Sequence, residues 1–144
     1  MTSTSSRIRM LDLTDERLDV AAVLASVQDA AAGGVNLFVG HVRDHDHGRG
    51  VTRLEYSAHP TAKDELRRVA EEVAEEFDVV AVAAVHRVGR LEVGDVAVAV
   101  AVSAGHRGQA YDGSRALIDR LKERVPVWKH QTFTDGEEEW VNSL

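Results

Sequence analysis

The chain has 144 residues, 44% hydrophobic and 28% charged, which fits one domain with enough apolar side chains for a real core. Its formal charge of -7 argues against non-specific nucleic-acid binding, which needs a basic footprint, so any anion site must be a local concentration of cations. There is no cysteine, which removes disulfides, thiolate metal centres, iron–sulfur clusters and a cysteine nucleophile; any sulfur handled here must arrive on a partner or substrate.

Residues 1–7 are Ser/Thr-rich and are expected to be disordered, leaving residues 8–144 as a single domain. The N-terminus lacks the apolar stretch of a signal peptide, and no later run approaches the roughly 20 residues of a membrane span. The default expectation is a cytoplasmic protein without a membrane partner. Thr14-Asp15-Glu16 offers a helix start and Gly33-Gly34 a stop, with Leu18, Ala21, Ala22 and Ala25 between them. Residues 35–42 read as a largely buried strand, 44–50 as a polar, mobile loop, and 51–58 as a second strand. The two strands are expected to form a hairpin with a long connection.

His59-Pro60-Thr61 ends that strand and starts a helix over 62–77, where Leu66, Val69, Ala70, Val73 and Phe77 recur at helical spacing. Residues 79–88 are rich in β-formers, 89–95 read as a connection, and 96–102 alternate Val with Ala. That alternation fits a strand buried on both faces, with Ala where something packs closely. A last helix spans 107–124. Ala110, Ser114, Leu117, Ile118 and Leu121 share one arc of it, and Lys122 borders that arc with its ammonium at the rim. Pro126 stops the helix, and 127–133 and 139–142 read as short strands around an acidic turn. There is no internal repeat and no linker: the fold class is α+β.

Several residues are placed to carry chemistry. Gly105-His106-Arg107 joins a buried strand to a helix start, where free backbone N–H groups and the helix dipole favour an anion. Spacing alone leaves a surface Arg and a capping His equally open. His41 and Arg43 share one side of the strand end, with Val42 between them. Arg43 also fits a simple solvent boundary. Asp44, His45, Asp46 and His47 supply metal-ligating side chains, but a mobile glycine-flanked loop lacks the fixed geometry a site needs, so no metal is expected. Lys122 and Lys129 sit on either side of the Pro126 corner. Neighbouring cations, with Arg107 and Arg124 as candidates, lower a lysine pKa and suit it to nucleophile or proton-donor work. Nucleophile-elbow, P-loop and dinucleotide motifs are absent.

Taken together, Phe38-Val39-Gly40-His41-Val42-Arg43-Asp44, His86-Arg87-Val88-Gly89-Arg90-Leu91, Ser103-Ala104-Gly105-His106-Arg107, Leu121-Lys122 and Pro126-Val127-Trp128-Lys129 resemble the large, catalytic subunit of molybdopterin synthase, the MoaE family. The resemblance spans about residues 33–142. It implies an α/β-hammerhead-type domain with an additional antiparallel sheet, forming a homodimer within a heterotetramer. It implies a small ubiquitin-like partner whose C-terminal Gly-Gly tail carries a thiocarboxylate, and sulfur transfer from that tail to cyclic pyranopterin monophosphate to make the molybdopterin dithiolene. No resident cofactor is implied.

By position, the resemblance makes Arg43, His106 and Arg107 ligands of the substrate phosphate and pterin, with His41 and Val42 lining the same segment. It makes Lys122 the main catalytic group beside the incoming tail and Lys129 the second active-site lysine, with His130 and Gln131 completing the substrate-binding segment. Two departures stand out. The family commonly carries a basic residue and then glutamate after the second lysine, whereas His130-Gln131 follows here, and Gln131 cannot act as a carboxylate base. Some relatives also continue beyond the position of Leu144 with a basic tail that reaches the partner subunit's pocket. These departures leave a second reading: a non-catalytic homologue that holds a Gly-Gly-tailed partner or a phosphorylated ligand.

Overall fold

A computed structural model describes residues 3–141 of the chain. In chain order the elements are α1 (Thr4–Arg7), β1 (Ile8–Thr14), α2 (Val20–Ser26), β2 (Gly34–His41), β3 (His45–Asp46) and β4 (Arg49–Ala58). They continue with α3 (Ala62–Glu76), β5 (Ala81–Arg87), β6 (Gly89–Glu92), β7 (Val96–Ala104), α4 (Arg107–Arg124), β8 (Val127–Phe133) and β9 (Glu138–Val141). The α+β class is as expected.

The first sheet has the order β1-β5-β7-β2, with β1 parallel to β5 and the other pairs antiparallel. Its two faces sort the Val/Ala alternation of β7. Val98, Val100 and Val102 enter one core with Leu66 and Val69 of α3 and Leu117 and Leu121 of α4. Ala99 and Ala101 enter the opposite core with Val23 of α2 and Val27 just beyond it. Bulk therefore faces the two long helices, and small side chains face the short one.

The second sheet runs β3-β4-β8-β9, and β6 also pairs with β4. Register along β4 and β8 sets Tyr56 opposite Lys129 and Leu54 opposite Gln131. Val42, Leu54, Leu91 and Ala97, with Tyr56 packed on them, form a small third core between the two sheets.

Some sequence expectations need correction. Residues 4–7, expected to be disordered, close one helical turn: the Ser6 N–H donates to the Ser3 hydroxyl, and Arg7 donates to the Ala74 carbonyl. Met1 and Thr2 lie outside the described residues, as does Asn142 of the expected last strand. The helix expected to start at Thr14 begins only at Val20, capped by Asp19, and residues 8–14 take backbone partners from β5 instead. β2 and β4 do not pair; β2 runs along β7 and β4 along β8, so long-range pairing overrides adjacency in sequence. The connection at 89–92 is a strand on β4. Residues 44–50 are not a free loop: β3 and β4 form a tight hairpin whose two turn residues, His47 (φ 50°) and Gly48 (φ 78°), both take the left-handed conformation a type I′ turn requires.

Candidate active site

The ends of β2 and α4 and the middle of β8 converge on a cavity of about 420 Å³. His41, Val42, Arg43, Lys122, Lys129 and Gln131 line it. Each arrives for a local reason. Val42 anchors the exit of β2 in the third core, which leaves His41 and Arg43 on the cavity side; His41 Nδ1 donates to the Gly94 carbonyl at 3.2 Å. In the last turn of α4, Leu121 is buried and the adjacent Lys122 reaches the rim, where the negative helix end suits a cation. On β8, side chains two apart share a face, so Lys129 and Gln131 enter the cavity together.

The same alternation sends His130 to the other face of β8. There it stacks on Trp140, ring centroids 4.4 Å apart and planes 21° from parallel, with Glu138 at 3.7 Å. His130 is therefore not in the cavity. Arg124 is not a neighbour of Lys122 in the expected cluster either: it forms ion pairs with Glu65 and Glu72 of α3. The cations that share the cavity with Lys122 are Lys129 and Arg43.

His106 and Arg107 are exposed at the opposite end of α4, about 22 Å from Lys122 at 1.5 Å per residue. They lie against the start of β2, where a Cβ on Gly34 would come within 3.1 Å of Arg107 Cα. Within one chain, the helix start and the cavity are separate.

Two further residues line the cavity: Asp46, which the sequence offered only as one of a metal-ligating group, and His86, which stood there only within a motif of the family resemblance. Asp46, on β3, accepts a 2.7 Å hydrogen bond from Gln131 Nε2 through its Oδ2, while Oδ1 faces Arg43 at 3.5 Å. The Gln131 amide first, then the charges of Lys129, His47 and Arg43, hold this carboxyl below its usual range against desolvation. His86 ends the apolar strand β5 and is 2% exposed. Its Nδ1 donates to the Arg87 carbonyl at 2.6 Å, and its ring meets Tyr56 edge-on at 4.8 Å. Burial, aided by the charge of Lys122, pushes the imidazole down to about 4, so His86 is neutral near pH 7 and Nε2 is an acceptor. A lone histidine in the run Ala-Val-Ala-Ala-Val-His was the available signal. Burial also pushes the Tyr56 phenol up to about 12. Among the described residues, no group of three or more His, Cys, Asp or Glu could hold a metal ion; His45 pairs with Asp44 at 2.8 Å.

Fold and site together define an α+β protein whose two sheets and last helix enclose a cleft lined by Arg43, Lys122 and Lys129. The chain belongs to the MoaE family: the family described as MoaE protein matches residues 13–124, ending short of Lys129 and Gln131. Molybdopterin synthase catalytic subunit 1 of Mycobacterium tuberculosis is 43% identical over 130 residues, covering 90% of this chain and 88% of that one. The crystal structure of molybdopterin synthase from Staphylococcus aureus superposes with a TM-score of 0.85 at 32% identity, covering 91% of this chain and 96% of that one. A Helicobacter pylori chain, from a complex of subunits 1 and 2 of molybdopterin-converting factor, shares the fold at 20% identity with a TM-score of 0.72, covering 91% and 89%. No helix among the described residues is long and apolar enough to cross a membrane.

Proposed function

We propose that this chain is the catalytic subunit of a molybdopterin synthase, acting in the cytoplasm. It takes sulfur from the C-terminal thiocarboxylate of a small ubiquitin-like subunit and passes it to cyclic pyranopterin monophosphate, forming the dithiolene of molybdopterin. The observation that carries this reading is the convergence of Lys122, Lys129 and Arg43 on one cavity in a member of this family.

The chemistry follows from charge. A Gly-Gly thiocarboxylate is an anion, and so is the phosphate of the substrate; three cations offset the repulsion between them. Lys122, at the rim, meets the incoming tail first, steers it, and donates hydrogen bonds to the oxygen on which negative charge develops. Lys129, deeper on β8, donates or shuttles protons as the carbon–sulfur bond changes hands. Arg43 offers a planar fork to phosphate oxygens. His41 and Val42 shape the same wall, and neutral His86 gives the cavity a fixed acceptor without added charge.

His106 and Arg107 take part through a second copy. β2 is an edge strand, and it exposes Val35 and Phe38. Antiparallel pairing of two β2 strands sets the Gly34 end of one, with its His106-Arg107, against the His41 end of the other. That supports a homodimer whose cavities are each lined by both copies, with one small subunit per cavity.

Mixing the purified protein with a thiocarboxylated small subunit and cyclic pyranopterin monophosphate tests the reading. Molybdopterin should form with the wild type and fail with Lys122→Ala. No product from the wild type overturns the enzymatic reading, and full activity in Lys122→Ala overturns the role of that lysine. The alternative, a homologue that binds without turnover, rests on Gln131; binding of partner and substrate without product is the outcome that favours it.

A further inference from the structure

Gln131 stands where a carboxylate would give the cavity an anionic partner for its lysines, yet the cavity does contain one. Asp46 reaches it from the β3–β4 hairpin, with its side chain only 15% exposed. The bond from Gln131 Nε2 to Asp46 Oδ2 at 2.7 Å has a fixed polarity: an amide donates and a carboxylate accepts. Gln131 itself is 2% exposed, so this bond is held inside the protein. We propose that positions 46 and 131 act as a pair that needs one carboxylate and one amide, and that Asp46 is the cavity's carboxylate, a positioning residue that holds Lys129 and Arg43 toward the anionic substrate.

The surroundings of Asp46 are consistent with a single negative charge there. Arg43 from the end of β2 and His47 from the turn lie at 3.5 and 3.8 Å. Lys129 from β8 adds its charge. Arg49, the ladder partner of Asp46 on β4, is turned away to Asp135 and Glu137. On the same strand as Asp46, His45 is engaged with Asp44. One carboxylate among these cations is well matched. None leaves Lys129 and Arg43 to repel each other, and two at hydrogen-bond distance cannot both stay ionised.

This inference rests on the sulfur-transfer reading for its activity arm, and a second readout stands free of it. Asp46→Asn should lower molybdopterin formation about tenfold or more, because it removes the charge that orients two cations. Gln131→Glu should lower activity near neutral pH and recover it at lower pH, as the crowded carboxylates share a proton. The double variant Asp46→Asn/Gln131→Glu reverses the bond's polarity while keeping one carboxylate and one amide, and should return to within about threefold of wild type.

Wild-type activity in Asp46→Asn overturns the proposal, as does a double variant no better than the weaker single one. The free-standing readout is the midpoint of thermal unfolding between pH 5 and 8. Gln131→Glu should lose stability as pH rises and the double variant should regain it, whereas simply additive shifts refute the pairing. If the wild type makes no product, the sulfur-transfer reading fails on its own, and the unfolding midpoints still decide the pair.

Discussion

The two ends of α4 both carry cations, and they behave as opposites. At its C-terminal end Leu121 and Val125 are buried, Lys122 stands at the rim, and β2, β5 and β8 wall the cavity it faces. At its N-terminal end His106 and Arg107 are exposed, with Gly34 of the β2 start close against them. At the enclosed end Lys122 shares one cavity with Lys129, Arg43 and Asp46, and charges gathered in a walled cleft act more strongly on a bound ion than isolated surface charges do. The open end has two cationic-type side chains at a helix start, exposed to solvent. A cation's value to a site depends less on its identity than on what encloses it, and the open end gains an enclosure only from another surface.

The largest effect should come from Lys122→Ala, which removes the cation at the enclosed end. Product formation is expected to fall about 100-fold. Thermal stability should stay within about 0.5 kcal/mol, since the side chain is exposed and holds no other element together. Steady-state assays beside thermal unfolding separate these outcomes, and a large loss of stability would make Lys122 structural instead.

The second effect is on stability and again belongs to the enclosed end, which carries the buried His86. Its folded-state pKa of about 4 lies below the ordinary histidine value of 6.5, with burial the main cause and the nearby charge of Lys122 adding to it. Above pH 6.5 the imidazole is neutral whether the chain is folded or unfolded, and its full contribution is present. As pH falls from 6.5 toward 4, the unfolded chain takes up a proton that the folded chain refuses, so stability is lost. By pH 5 the loss attributable to His86 is about 2 kcal/mol. Other groups also respond to acid, so the measurement is a difference: unfolding midpoints of wild type and His86→Gln between pH 4 and 8 should converge as pH falls. Parallel curves would remove His86 as the titrating group.

How much of this contrast was legible in the sequence differs by element. The limits of α4 were, because Gly105 and Pro126 bracket an apolar arc that stays in phase from Ala110 to Leu121. The Val/Ala alternation of β7 was, because a strand between two packed faces needs small side chains on one of them. β1 was not: Arg9 and Asp12 interrupt its apolar residues, and what makes residues 8–14 a strand is β5, some seventy positions away. The pairing of β2 with β7 is hidden for the same reason. In the site, Lys122 and Lys129 were found by position, but Asp46 was weighed only as a metal ligand with Asp44, His45 and His47, because nothing local ties it to Gln131, 85 residues on. The sequence set His106-Arg107 and Lys122 at opposite ends of one helix, but not that only the Lys122 end faces the cavity.

The third prediction probes the open end. Arg107→Ala should weaken substrate use about tenfold, mostly through KM, if its guanidinium meets the phosphate only in the assembled dimer. Mixing Arg107→Ala with Lys122→Ala chains is the sharper measurement. Random reassortment makes half the dimers mixed, and in each of these one cavity has both residues intact, so activity should recover to about a quarter of wild type. No recovery after verified subunit exchange would mean that each chain supplies its own complete site.

The smallest effect contrasts two neighbours on one strand. Lys129 and His130 are adjacent, yet β8 turns one toward the cavity and the other toward Trp140. His130→Ala should therefore change product formation by less than about twofold, while costing about 0.5–1.5 kcal/mol of stability from the lost ring stack. Lys129→Ala should show the reverse: a clear loss of activity with little change in the unfolding midpoint. Measuring both in the same assay compares the faces of a single strand, with chain position held nearly constant. If His130→Ala proves as damaging to turnover as Lys129→Ala while remaining folded, the outer face of β8 takes part in catalysis, as it would if the bound small subunit rested against Trp140. If it does not, strand alternation alone accounts for which of the two residues belongs to the site.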